Sequence, residues 1–533
     1  MADKDDNIRS ADSDVFLELE KFGRFHFIQY VLVCLPLMMV SMVHVNYIFV
    51  AEDVNHRCLV PECEDANPSV QLPNWWPSDV DSRCFRPVVE MQEYDKLNQT
   101  CSNNTFVEIL EECHEWIYDN NNSIVSELNL GCQSWKATLV GSVHNAGMVM
   151  SMIITGWIAD KVGRKPTIIV CSIGGAVGFF KIFITNYYGY LGVEFLESVL
   201  ASGLYTVAVV LLIEIGGESN RVLAGVIFSY AVYVGEVLFA FIAMGLKYWK
   251  TLILVVYSPM ILFIAYIIIL KEGTRWQLLR GRTEEAKETL KLTAKINKIN
   301  VNQKEIDEIS GEDLRFKFNI VMQKQKESIK DILASKETML RLIVTSICFF
   351  TSSFVYYGLA VHSVLLPGNK YTNFVLTSLA SFPGDFLALF TFKKYGRKIS
   401  LQSGYICSAV FLIAQTYTPN SLSWLKILLF LCGKLSVVVC FTGIYTYSLE
   451  LFPTSVRGTL VGVGNTAARI GSMLAPLTPL LSNELDALPS ILFSTTAVLA
   501  ALLLTFTPET KTLPLFDTIA QIDAYKSKVM THL

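Results

Sequence analysis

The sequence predicts an all-α polytopic membrane protein with twelve transmembrane helices in two six-helix pseudo-repeats. Three observations carry that expectation. The 533-residue chain is 52% hydrophobic and 17% charged, with a mean hydropathy of +0.41, whereas an average soluble domain is roughly 25% charged. Its apolar segments run near the ~20 residues with which a helix crosses a bilayer. A set of charged motifs also occurs twice. GWIADKVGRK at 156–165 returns as LFTFKKYGRK at 389–398, EIGGESNR at 214–221 as ELFPTSVR at 450–457, and KEGTRW at 271–276, more faintly, as TPETK at 507–511. Arg164 and Arg397 are 233 residues apart, Glu214 and Glu450 236, and Glu272 and Glu509 237. Spacings that agree this closely mark a duplicated unit.

The elements follow in order. Residues 1–24 form a polar N-terminus. The stretch MADKDDNIRSADSD is acidic and lacks the basic start and short apolar core of a cleaved leader, so the first apolar segment is expected to be a retained span. Spans are expected near 25–49, 137–159, 167–186, 190–213, 222–246 and 251–270, which make the N-terminal bundle (25–270). A linker at 271–341 separates them from spans near 342–362, 372–392, 399–418, 424–448, 458–481 and 489–507, the C-terminal bundle (342–507). A tail occupies 508–533. Lys21 and Arg24 flank the first span and favour a cytoplasmic N-terminus; twelve crossings return the C-terminus to the same side.

The loop at 50–136 supplies an independent marker of sidedness. It contains Cys58, Cys63, Cys84, Cys101, Cys113 and Cys132, and the chain's three N-x-S/T sites, Asn98, Asn103 and Asn121. Six cysteines suit three disulfides, with fifteen possible pairings. Paired thiols and glycans both require the extracellular side. The loop is strongly acidic, with sixteen Asp/Glu against five Lys/Arg, while 271–341 carries sixteen Lys/Arg balanced by twelve acids. The linker therefore reads as a cytoplasmic, helical, solvated connector, and no nucleic-acid-binding segment is expected.

GWIADKVGRK falls where the second span reaches the cytoplasm. Its glycines permit a tight turn, and Asp160, Lys161, Arg164 and Lys165 cannot enter lipid unpaired. These charges and their repeats form a candidate gate that pairs across the two halves in one state and separates in the other: Asp160, Arg164, Glu214 and Arg221 in the first half, Arg397, Glu450 and Arg457 in the second.

These duplicated motifs together resemble the major facilitator superfamily. FGRF at 22–25, HRC at 56–58, the cysteine-rich first loop, VYYGL at 355–359, LPGNKYTNF at 366–374 and LELFPTSVRG at 449–458 narrow the resemblance to its organic cation/anion/carnitine transporter branch, a solute carrier family 22-like pattern over nearly the whole chain. The resemblance implies the major facilitator fold, rocker-switch alternating access, and a polyspecific central pocket for small organic ions. The chain departs from the family pattern at Lys393, where an acid is usual, at Lys271 and Thr274, which replace two prolines, and at Glu194, where arginine is common.

Deep charges are the candidate substrate ligands. Arg469 lies eleven residues into its span, roughly 16 Å down and near the midplane of a ~30 Å core. Lys434 is about as deep, and a charge there must face a cavity or a partner. The context NTAARIGSMLAP resembles a position that carries aspartate in cation-type relatives and arginine in anion- and carnitine-type ones. A guanidinium is a good host for a carboxylate. Asp385, where anion-type members often have lysine, and Glu236 are acids on the opposite side of the candidate pocket; Ser381 replaces a commonly acidic site. Either these groups bind the two ends of a zwitterion, or they neutralise one another and aromatic rings do the selecting. Tyr230, Tyr233, Phe349, Tyr356, Tyr357, Phe441 and Tyr445 are the aromatic candidates, able to hold an ammonium by ~0.5–2 kcal/mol. Glu194 and Glu197 read as outer-vestibule acids, Lys181 as a side chain snorkelling to the surface, and His144 as a hydrogen-bonded helix contact.

The expectation is a multi-pass plasma-membrane transporter of small organic ions, with membrane lipid as its other partner. No catalytic constellation and no GxxxxGK[ST] loop is present, so neither enzymatic activity nor ATP coupling is expected. No cofactor or metal is expected, a coupling ion (Na+ or H+) is left open, and the oligomeric state is not assigned. A non-transporting receptor of the same fold and a facilitator of sugars or other neutral solutes are the alternatives.

Overall fold

The computed structural model describes residues 21–64, 68–89, 101, 106–217, 220–299, 306–307, 309–317, 329–511, 513, 516 and 518–524, with the side chains of 108, 221, 222, 329–331, 420 and 483 outside that description. The N-terminal half contains α1 (Arg24–Val50), α2 (Ser134–Val162), α3 (Arg164–Phe183), α4 (Tyr187–Gly216), α5 (Arg221–Gly245) and α6 (Trp249–Ile269). The C-terminal half contains α7 (Lys336–Ser363), α8 (Lys370–Tyr395), α9 (Arg397–Tyr417), α10 (Ser423–Leu451), α11 (Arg457–Leu474, continued by a 3-10 turn over Ala475–Asn483) and α12 (Leu488–Phe506). Eleven of these are long and apolar enough to cross a membrane on length and composition alone. The exception is α11. It is interrupted by Asn465, Thr466 and Arg469, a composition suited to lining a polar seam.

Each half has its own core. One gathers around Tyr30, Val33, Leu37, Leu204, Leu211 and Tyr257, the other around Val344, Cys348, Leu401, Tyr405, Cys440 and Ala497. Small residues bring the helices close: a Cβ at Gly404 would meet Cys440 Sγ at 2.6 Å, and one at Gly471 would meet the Phe350 carbonyl at 2.5 Å. The halves meet along two helix pairs, α2 with α11 and α5 with α8. The Ser142 hydroxyl donates to the Met473 carbonyl at 2.8 Å. Near the loop side, Lys370 of α8 pairs with Glu52, and Phe49 stacks on Tyr371 at 5.4 Å. At mid-seam, Tyr233 of α5 donates to Asp385 of α8 at 3.1 Å, and Ser378 of α8 donates to Glu236 of α5 at 3.0 Å.

The first loop is a small stapled subdomain. Strand β1 (His56–Cys58) pairs antiparallel with β4 (Trp116–Tyr118), and β2 (Phe85–Val89) with β3 (Phe106–Glu112). The disulfides are Cys58–Cys113, Cys63–Cys101 and Cys84–Cys132. Trp75 and Trp76 pack against the cysteines to make its core. Asn121 is exposed; Asn98 and Asn103 lie outside the described residues. The linker is helical over Thr274–Leu279, Thr283–Asn297, Gly311–Lys317 and Ile329–Ala334. It is more than a solvated connector: Leu278, Ala286, Leu290, Ala294 and Leu314 form an apolar cluster. It also docks on the first half, where the Asn297 amide oxygen accepts from Phe25 N at 2.8 Å and Trp276 Nε1 donates to the Asp160 carbonyl at 3.1 Å. The loop follows α1 and the linker follows α6; five crossings between them put the two on opposite faces.

Candidate functional site

The duplicated charges fold into duplicated structures at the linker-side ends of the helices. Arg164 reaches Glu214 at 3.0 Å and Asp160 at 3.2 Å. Arg397 reaches Glu450 at 2.8 Å, and Thr510 donates to the same carboxylate at 2.7 Å. Glu272 accepts from the Lys165 backbone N–H at 3.0 Å, and burial pushes its carboxyl up from the ordinary carboxylate value. Glu509 accepts from the backbone N–H groups of Arg397 and Lys398 at 2.8 and 3.0 Å. The pairs described here lie within one half rather than across the seam. Each half thus carries its own Arg–Glu pair at the linker-side ends of its helices. Arg457 donates to the Phe452 carbonyl at 3.2 Å, and the side chain of Arg221 lies outside the described residues.

The deep charges converge from both halves at mid-seam. Asp385 of α8 is buried and accepts from the hydroxyls of Tyr233 (3.1 Å) and Thr442. Glu236 of α5 accepts from Ser378 across the seam at 3.0 Å and faces Lys434 of α10 electrostatically. Lys434 is held at 3.0 Å by the Tyr356 carbonyl and sits 3.2 Å above the Tyr356 ring. Glu236 and Lys434 thus face each other without a direct ion pair, each held by its own hydrogen bond, and Asp385 is satisfied by hydroxyls.

Arg469 is different. It is half-buried in α11, meets Tyr357, and lies within electrostatic reach of His44, Tyr205 and Tyr445. Among the described residues no carboxylate lies within salt-bridge distance of it.

Aromatic rings complete the seam. Tyr357, Phe441 and Tyr445 are half-buried and mutually packed, Phe441 with Tyr445 at 5.8 Å and with Tyr357 edge-on at 6.5 Å. Tyr230 is half-buried against Phe382 of α8 at 4.9 Å. Tyr356 is buried and stacks on Phe441 at 4.9 Å, while Phe349 is buried beneath Gly464 and edge-on to Tyr445 at 4.9 Å.

Two expectations need correction. Lys181 does not snorkel: its ammonium is buried and bound to both Glu194 and Glu197. Those acids are accordingly buried within the first half rather than in an outer vestibule. His144 is hydrogen-bonded as expected, to Glu194 at 2.8 Å. Sequence reasoning overlooked Ser378, Thr442 and His44. The stripe Ser378, Ser381, Asp385 along α8, at steps of three and four, was the available signal for Ser378.

Comparisons with known proteins agree with this geometry. Residues 121–476 match the Major Facilitator Superfamily. An organic cation transporter protein of Drosophila melanogaster is 29% identical over 97% of this chain and 95% of its own length. Solute carrier family 22 member 6 of Oryctolagus cuniculus is 27% identical over 96% and 94%. Among solved structures, a partially occluded inward-open conformation of the xylose transporter XylE from E. coli shares the fold, with a TM-score of 0.58 and 13% identity over 92% of this chain and 99% of that one. These relatives are transporters and not enzymes. With twelve helices in two repeats, a duplicated inner charge set and that match over most of its length, the chain belongs to the Major Facilitator Superfamily.

Proposed function

We propose that this chain moves small organic ions that carry a carboxylate, zwitterions foremost, across the plasma membrane by alternating access to the seam between its halves. Arg469 carries the reading. Every other deep charge at the seam is engaged by a partner, whereas this guanidinium stands at mid-depth with aromatic neighbours and no acid beside it among the described residues. A guanidinium binds a carboxylate through two parallel N–H bonds. The faces of Tyr357, Phe441 and Tyr445 suit an ammonium at the other end of the substrate. The relatives named as an organic cation transporter and a family 22 solute carrier support organic ions as the substrate class.

The cycle follows from how the contacts are distributed. Each bundle carries its own Arg–Glu pair, Arg164–Glu214 in one and Arg397–Glu450 in the other, which supports rocking of the bundles as units about the seam. Opening the first-loop side would part, among other contacts, Lys370 from Glu52, Phe49 from Tyr371 and Phe374, and Ser142 from the Met473 carbonyl. The disulfide-stapled first loop and its exposed sequon at Asn121 support a reading in which that loop is extracellular and both termini are cytoplasmic.

Uptake into proteoliposomes of radiolabelled carnitine, a quaternary amine, an aromatic monocarboxylate and a hexose tests the reading. Carnitine or the monocarboxylate is expected to enter. Arg469→Ala is expected to abolish that flux, and Arg469→Lys to raise KM more than it lowers kcat. Flux of the hexose alone, or carboxylate flux unchanged in Arg469→Ala, overturns it.

A further inference from the structure

Away from the seam, within the first half, four titratable side chains from three helices meet where solvent does not reach. Lys181 of α3 and Glu197 of α4 are 0% exposed, and Glu194 of α4 and His144 of α2 are 1% exposed. Lys181 Nζ donates to Glu194 Oε2 at 2.8 Å, to Glu197 Oε2 at 2.6 Å and to the Tyr257 hydroxyl of α6 at 2.8 Å. His144 Nδ1 lies 2.8 Å from Glu194 Oε1.

With both acids ionised and the imidazole neutral, two negative charges face one positive charge. A net charge enclosed in a membrane bundle is costly, so the cluster calls for one further positive equivalent. His144 and the two acids have the proximity of a metal site, but the Lys181 ammonium already occupies the space between the carboxylates and repels a second cation. A proton meets no such obstacle. If Nδ1–H of His144 donates to Glu194, Nε2 is the open acceptor, and it is buried with no hydrogen-bond partner, as is Glu197 Oε1.

We propose that this cluster is the binding site for a coupling proton; the proposal rests on the transporter reading given above. The proton comes from water in the seam and forms an N–H bond at His144 Nε2. The resulting imidazolium is held by Glu194, the cluster becomes neutral, and the same bond breaks when the proton leaves toward the other side.

A line of side chains joins the site to the seam. The His144 ring lies 5.2 Å from that of His44 on α1, whose Nδ1 is likewise buried and unpartnered. His44 meets Tyr357 of α7 edge-on at 5.3 Å, and Tyr357 meets Arg469. The other groups facing the cluster are uncharged at neutral pH: Tyr47 and Asn46 from α1, Asn145 from α2, and Tyr190 from α4. Arg469 is the remaining charge acting on His44. A carboxylate bound at Arg469 cancels that charge and removes its repulsion of a proton on the histidines. Substrate anion and proton therefore assist each other's binding, and by linkage the assistance is reciprocal.

Two measurements on the reconstituted full chain test this. The first needs no substrate: infrared difference spectra between alkaline and acidic buffer are expected to show imidazolium formation that loses one residue's share in His144→Gln. Glu197→Gln removes one acid and is expected to lower proton uptake in the same range. The second is carnitine uptake under an inward proton gradient with the membrane potential clamped, expected to rise several-fold in the native chain and to lose that rise in His144→Gln. Identical infrared differences in the native chain and His144→Gln overturn the site. Carnitine uptake indifferent to the gradient overturns the coupling. Absence of carnitine uptake under every condition counts against the substrate reading instead, and the infrared result then decides the proton site by itself.

Discussion

Glu272 and Glu509 hold the same position in the two halves, each receiving the first backbone N–H groups of a transmembrane helix, α3 in one case and α9 in the other. Carboxylates there satisfy donors that have no partner within the helix and complement its dipole. Each sits over a glycine in the left-handed region, Gly163 at φ 122° and Gly396 at φ 99°. A Cβ on Gly396 would lie 2.6 Å from Glu509 Oε2. Gly396→Ala and Gly163→Ala are therefore expected to cost ~1–2 kcal/mol in backbone strain alone, with further loss from the displaced carboxylate. Gly156 lies in the same motif, but it is helical and its would-be Cβ has nothing within 4 Å. Gly156→Ala is expected to be neutral or stabilising by up to about 1 kcal/mol. Thermal unfolding in detergent checks the series; equal melting of the Gly156 and Gly396 variants would reject the carboxylate-over-glycine account.

The equivalence of Glu272 and Glu509 was legible in the sequence because charges at helix ends cannot drift into lipid and so keep their spacing through a duplication. The place of Arg469 on α11, facing Tyr357 of α7, lay within reach of the sequence only as a position along a helix. What a deep charge meets was not legible. Lys181 seemed free to reach the surface because its own helix said nothing of α4, and two glutamates on α4 seemed wet because they lie near its outer end. Their pairing depends on how α3, α4 and α6 pack, which periodicity does not encode. Glu236 and Lys434 illustrate the same limit across the two halves. The disulfide pairing was likewise open, since cysteine spacing leaves fifteen solutions and the loop fold selects one.

Glu272 also gives a pH dependence. Burial raises its folded carboxyl above the ordinary value. Between the unfolded and folded values the native chain holds a proton that the unfolded chain has lost, so stability falls as pH rises through that window. Glu272→Gln keeps an acceptor oxygen and does not titrate. Its melting temperature is expected to decline less than that of the native chain across the weakly acidic range. Parallel declines in the two proteins would show that Glu272 contributes nothing to the slope.

Lys370 and Glu52 pair across the first-loop side of the seam, beside the Phe49–Tyr371 stack. Both are partly exposed, so their loss is expected to cost on the order of 1 kcal/mol. A shift of that size changes the ratio of outward- to inward-facing states about fivefold. In Lys370→Ala, a cysteine introduced at Ser142, now covered by α11, is expected to react several-fold faster with an impermeant thiol reagent added outside. A fixed labelling rate would mean that the pair does not hold the gate.

Lys434 and Glu236 separate a structural role from a substrate-binding one. Lys434 is buried over the Tyr356 ring, bonded to the Tyr356 carbonyl, and opposed by Glu236, which Ser378 also holds. If the two charges compensate each other across the seam, removing one leaves the other uncompensated in a low-dielectric interior and destabilises, whereas removing both together is closer to neutral. Lys434→Met and Glu236→Gln are each expected to lower the unfolding temperature strongly, and the double variant to recover most of the loss. The non-additivity measures the coupling between them. Carboxylate uptake adds a second readout. If the two charges serve only each other, the recovered double variant transports with a KM near the native value and Arg469 carries recognition alone. If Lys434 contacts substrate, the double variant folds but its KM rises by an order of magnitude or more, and the seam holds two cationic ligands instead of one.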